Sequence, residues 1–78
     1  TKWSAIRVLA GWWGIGEDRI VAIGDQINDV SMIRGAGVGI AMGNAINDVK
    51  AVAGYVTGTN EECGVAFAID QVLRGEWT

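Results

Sequence analysis

The stretch Ile20-Val21-Ala22-Ile23-Gly24-Asp25-Gln26-Ile27-Asn28-Asp29 decides how the rest of this chain is read. Its first four residues form a short apolar run, as expected of a buried strand. Gly24 interrupts the run, and two carboxylates and an amide then cluster where a strand ends and a helix is about to begin. In open α/β sheets, ligands bind at that end of the strands. Hard oxygen side chains gathered there suit Mg²⁺ and, through the metal, a phosphate.

Upstream, residues 3–13 are predicted to be helical. Trp3, Ile6, Leu9, Ala10 and Trp13 fall on one stripe at helical spacing, and Val8 and Trp12 form a second. A helix apolar on two sides needs partners on two sides. Gly14 and Gly16 stop it, and Glu17-Asp18-Arg19 is a polar loop before the first strand, 20–23.

Downstream, a short helix over 28–34 turns Val30 and Ile33 inward, with Asn28 or Asp25 placed to cap it and Gly35 to end it. The second strand is 38–42. Asn44 then caps a helix over 45–53 that buries Ile46, Val49, Val52 and Ala53, and Gly54 ends it. Tyr55-Val56-Thr57 is a small third strand. The last helix, 61–73, carries Glu61 and Glu62 near its positive end and a stripe of Val65, Ala66, Ile69, Val72 and Leu73, with Arg74-Gly75 closing it.

Strands alternating with helices predict an α/β fold, a parallel three-stranded sheet with flanking helices. Right-handed crossovers place the connecting helices on one face if the sheet grows in one direction. The first and last helices, or further chain, must cover the other face. One flank of the first strand is left unpaired, and an open apolar edge is a liability. That edge points to sequence missing on its side.

The composition narrows the function classes. The 78 residues suffice for one small domain or a piece of a larger one, and 50% of them are hydrophobic, including four Trp. The first residue is Thr1 and not Met, which also suggests a piece cut from something longer. A net charge of −3 without a Lys/Arg cluster argues against nucleic acid as a partner. Cys63 is single, which fits a reducing compartment. There is no apolar run near the ~20 residues of a membrane helix, so a cytoplasmic protein is expected. With no His in the chain, acid–base chemistry falls to Asp, Glu or Lys.

The stretch from Gly24 to Ile33, together with Ala36-Gly37-Val38-Gly39-Ile40-Ala41-Met42-Gly43-Asn44-Ala45, closely resembles the haloacid dehalogenase superfamily, and within it the Cof-type sugar-phosphate phosphatases. The likeness continues through Val49-Lys50, Ala53-Gly54-Tyr55-Val56-Thr57, Asn60 and Gly64-Val65-Ala66, and reaches upstream to Lys2. It implies that residues 1–78 are the C-terminal portion of a Rossmann-like core domain. By the same resemblance, Asp25 ligates Mg²⁺, and Asn28 contacts the phosphate or the metal's water shell. Asp29 supports the metal cluster as a second carboxylate and counts as catalytic. Lys2 neutralises the phosphoryl group and the nucleophilic carboxylate, and so is both phosphate-binding and catalytic. The implied substrate is a small phosphorylated metabolite, attacked by an Asp to give an aspartyl-phosphate that water hydrolyses.

The departures from the family pattern carry equal weight. The Asp-x-Asp-x-Thr/Ser segment that supplies the nucleophile, the motif-two Ser/Thr and the substrate-selecting cap are absent from these residues. The partners implied are therefore the N-terminal core and cap segments of the same enzyme, and the chain alone is expected to be inert. Trp3 follows Lys2 where many relatives carry Gly, and Cys63 stands where an acid is common. Two other classes compete. A cation pump of the P type carries a similar Gly-Asp-x-x-Asn-Asp run but usually Ala-Pro where this chain has Val30-Ser31. A non-enzymatic module would use the strand edge and Trp-rich helix to hold a partner. Plainer roles are assigned elsewhere: Lys50 to the surface, the Trp residues to core or interdomain packing, Cys63 to a small packed position.

Overall fold

The computed structural model describes residues 8–59 and 63–77. A helix at 8–12 (α1) leads through a 3₁₀ turn, Glu17–Arg19, into β1, Val21–Gly24. A second 3₁₀ turn, Ile27–Asp29, runs directly into α2, Val30–Gly35. Then come β2 (Val38–Ala41), α3 (Asn47–Val52), β3 (Tyr55–Val56) and α4 (Gly64–Leu73). The order of elements is the expected one, and each strand begins within one residue of its predicted start. Lys2, Trp3, Ile6, Glu61 and Glu62 lie outside the described residues.

The three strands form one sheet in the order β1-β2-β3, all parallel. Val21 pairs with Val38 and Gly24 with Ala41, while Ile40 pairs with Tyr55. Parallel neighbours need a crossover between them, and α2 and α3 supply it. Among the described residues β1 is an edge strand.

One face of this sheet is closed. Ala22, Ile33, Ala41, Met42, Ala45 and Val49 make the core cluster, with Val30, Val52 and Ala53 packed against it. Ile33 on α2 is 1% exposed and Val49 on α3 is 0% exposed, as their spacing predicts. Gly39 lets α2 lie directly on β2, because a Cβ there would overlap the Ile33 carbonyl oxygen. Ile46 departs from expectation: it precedes the helix at the N-cap position and is exposed.

The other two helices correct the predicted stripes. On α1 and just after it only Ala10 is buried, while Val8, Leu9, Trp12 and Trp13 are exposed. Those two Trp therefore do not join a core among the described residues. On α4 the buried residues are Gly64 and Ala68, and the expected stripe residues Val65, Ala66, Ile69 and Leu73 face solvent. The physical reason is close backbone packing. Gly64 sits where a Cβ would overlap the Gly58 carbonyl oxygen, and its own carbonyl accepts a 2.8 Å bond from the buried Thr57 hydroxyl. A helix held that tightly turns its smallest side chains inward. Trp77 anchors its far end, stacked on Tyr55 at 4.8 Å with Phe67 edge-on at 5.8 Å. Cys63 is exposed rather than packed. No helix among the described residues is long and apolar enough to cross a membrane.

Candidate functional site

β1 ends at Gly24, and Asp25 is the first residue past the sheet at the carboxyl ends of the strands. The turn that follows is built around Asp29. Its carboxylate Oδ2 accepts the backbone N–H groups of Asp25 and Gln26, both at 3.1 Å. Asp29 is only 7% exposed. A buried carboxylate is tolerated when such donors satisfy it. Gly24 makes this possible, since a Cβ there would stand 2.6 Å from Asp29 Cβ and 2.7 Å from its Cγ. The cap of this turn is thus a tie from Asp29 back to Gln26, and neither Asn28 nor Asp25 acts as the expected cap. Gln26 occupies the N-cap position.

Asp25 is half-buried and is held from a second loop, 42–46, that leaves the end of β2. The Gly24 carbonyl accepts from Met42 N–H at 3.0 Å, and the Asp25 carbonyl accepts from Ile46 N–H at 3.1 Å. The Asn44 side-chain Nδ2 donates to Asp25 Oδ2 at 3.4 Å. Asn44 was expected to cap α3, but Ile46 holds that position without a side-chain cap bond. A signal for its other role was present in the sequence: in a parallel sheet the residues following β1 and β2 emerge at one rim.

Asp25 and Asp29 both line an open cleft of about 460 Å³, whose other walls are Ile23, Gly24, Met32, Met42 and Val65. The structure therefore brings the two predicted carboxylates to one cavity. Asn28 lies on the exposed side of the 3₁₀ turn and is not among the lining residues. Lys2 is outside the described residues. No group of three His, Cys, Asp or Glu side chains able to hold a metal occurs among the described residues. The donor chemistry nonetheless fits Mg²⁺, which takes one or two carboxylates and keeps several waters or substrate oxygens. Asp25 offers a partly exposed carboxylate for that role, while one Asp29 oxygen is engaged by two amides.

Comparison with known proteins places these features in a family. Residues 1–69 match the family model described as haloacid dehalogenase-like hydrolase. The chain is 47% identical over 76 residues to a 5-amino-6-(5-phospho-D-ribitylamino)uracil phosphatase of Bacillus subtilis strain 168, covering 97% of this chain and 27% of that enzyme. A solved haloacid dehalogenase-like hydrolase from Bacteroides thetaiotaomicron superposes with a TM-score of 0.89 at 48% identity, over 91% of this chain and 27% of the other. A sugar phosphatase of subclass IIB of the superfamily matches with a TM-score of 0.88 at 40% identity, over 92% of this chain and 28% of the other. The chain spans about a quarter of the length of the curated relatives it matches.

Proposed function

The chain belongs to the haloacid dehalogenase-like hydrolases, and from that premise we propose that it is the C-terminal part of a Mg²⁺-dependent, cytoplasmic phosphatase of the Cof type. The substrate would be a small phosphorylated metabolite such as a sugar phosphate. The observation that carries this reading is the placement of Asp25 at the end of β1, facing a cleft shared with Asp29. The short coverage of each relative supports a missing N-terminal core and cap. So do the edge position of β1 and the apolar surface left open on α1 and α4.

Asp25 would hold the cation directly. Asp29 would serve the same cluster by fixing the Asp25–Gln26 backbone and adding negative charge beside it. Lys2 would hold the phosphoryl oxygens, and Asn28, on the exposed side of the turn rather than in the cleft lining, would meet them or the metal's water shell from the rim. When bound, Mg²⁺ offsets the repulsion between a phosphate dianion and the carboxylates around it. The nucleophile, an aspartate of the N-terminal core, would attack phosphorus and release the alcohol. Water would then hydrolyse the aspartyl-phosphate. These residues lack that nucleophile, so the 78-residue chain should be inert.

Two measurements test the proposal. Asp25→Ala in the full-length enzyme should abolish Mg²⁺-dependent phosphatase turnover, and retained turnover overturns the assignment. The purified 78-residue chain should show no hydrolysis of p-nitrophenyl phosphate with Mg²⁺, and genuine activity would refute its dependence on an N-terminal core.

A further inference from the structure

We propose that Asn44 is a positioning residue that orients the Asp25 carboxylate for its cation, an inference that rests on Asp25 being the metal ligand proposed above. Its amide Nδ2 donates to Asp25 Oδ2 at 3.4 Å across 19 residues of sequence. An ionised carboxylate has about four lone-pair sites, so one N–H donor restricts its rotation and leaves the remaining sites for a cation. The residue type suits the task. A lysine there would repel a divalent cation, and a carboxylate would repel Asp25 whenever the cation is away. A neutral amide does neither.

The loop that carries Asn44 is fixed on both sides, as a positioning device requires. Toward the site, Met42 N–H and Ile46 N–H tie it to the carbonyls of Gly24 and Asp25. Within the loop, Ala45 N–H donates to the Met42 carbonyl at 2.9 Å, and both residues are buried in the core. On the far side, Gly43 N–H donates to the Gly58 carbonyl at 3.0 Å. Gly58 adjoins Thr57, whose hydroxyl is locked on the Gly64 carbonyl. Asn44 thus stands on a braced platform, while its side chain remains exposed and able to meet Asp25.

The experiment is Mg²⁺ titration by calorimetry on the full-length protein that carries these residues, comparing wild type, Asn44→Ala and Asp25→Ala. Asn44→Ala should raise the Mg²⁺ dissociation constant about tenfold, the low end for a residue supporting a ligand, because the bond is long and exposed. The metal-free melting temperature should not change. In a ¹H–¹⁵N spectrum, the Asn44 side-chain amide should shift on adding Mg²⁺ to wild type and stay still in Asp25→Ala. Unchanged affinity in Asn44→Ala, a metal-free melting temperature that falls with the affinity, or a silent amide resonance in wild type each overturns the inference. If Asp25→Ala binds Mg²⁺ as wild type does, the underlying assignment of Asp25 fails, and the inference with it.

Discussion

Ile33 on α2 and Val49 on α3 are fully enclosed, whereas Trp12 on α1 and Leu73 on α4 keep 77% and 81% of their surface in water. All four are large apolar residues on helices, so residue type alone does not separate them. Partners do. α2 and α3 lie against β1 and β2 and against each other, closing a core of Ala22, Ala41 and Met42. α1 and α4 rest on small residues, Ala10, Gly64 and Ala68, and leave their bulk outside. Fully burying a side chain of this size is worth about 1.5–3 kcal/mol, so the open side withholds a large share of the available stabilisation. The candidate site lies at the boundary, with Met42 from the closed core and Val65 from α4 both lining the Asp25 cleft.

The sharpest way to test that contrast is to remove bulk from the closed side. Ile33→Ala should destabilise the chain by about 3–4 kcal/mol, since the cavity is walled by helix and sheet and cannot easily collapse. Urea denaturation would measure it. A loss under about 1 kcal/mol would mean the α2 side is as loosely filled as the α1 side.

At the boundary, Gly24→Ala should cost about 2–3 kcal/mol. The new methyl would force Asp29 aside and break its two amide bonds. The same variant should weaken Mg²⁺ binding in the full-length enzyme, because the Asp25 backbone loses its anchor. Wild-type stability and metal affinity together would show that the close approach of Gly24 and Asp29 is dispensable.

The closed half was the legible half. Val21–Gly24 and Val38–Ala41 stand out because each is a short apolar run bounded by turn residues, and Ile33 and Val49 because each helix there has one apolar side. The Gly24-Asp25 corner is legible as a gathering of carboxylates at the end of a strand, and Asp25 and Asp29 do share a cleft there. The orientation of α4 was not. Val65, Ala66, Phe67, Ala68 and Ile69 surround the helix with apolar groups, so periodicity offers no preferred side. The choice falls to Gly64, through a backbone approach that no hydropathy pattern records. Asn44 departs from its local pattern for a related reason. A cap is a local event, visible in neighbouring residues, whereas its bond to Asp25 exists only once β1 and β2 are side by side.

Asp29→Asn probes the boundary more gently. The amide keeps the shape and one acceptor oxygen but removes the charge that strengthens the bonds to Asp25 and Gln26 N–H. A loss of about 1 kcal/mol in unfolding free energy is expected, read from the urea midpoint and slope. A loss of several kcal/mol would instead mark Asp29 as part of the closed core itself.

The smallest effect is expected on the open side, and it separates two meanings of openness. In the 78-residue chain, Leu73→Ser should change stability by less than about 0.5 kcal/mol, because the side chain is already hydrated. If the outer face of α4 is covered in a longer protein, the same substitution there should cost about 1.5–3 kcal/mol, the transfer free energy of a buried leucine. Parallel denaturation of the two lengths, each with and without the substitution, gives the difference directly. A small effect in both would mean that α4 keeps its apolar face in water at every length, and that the contrast with α2 and α3 is a permanent feature of the fold.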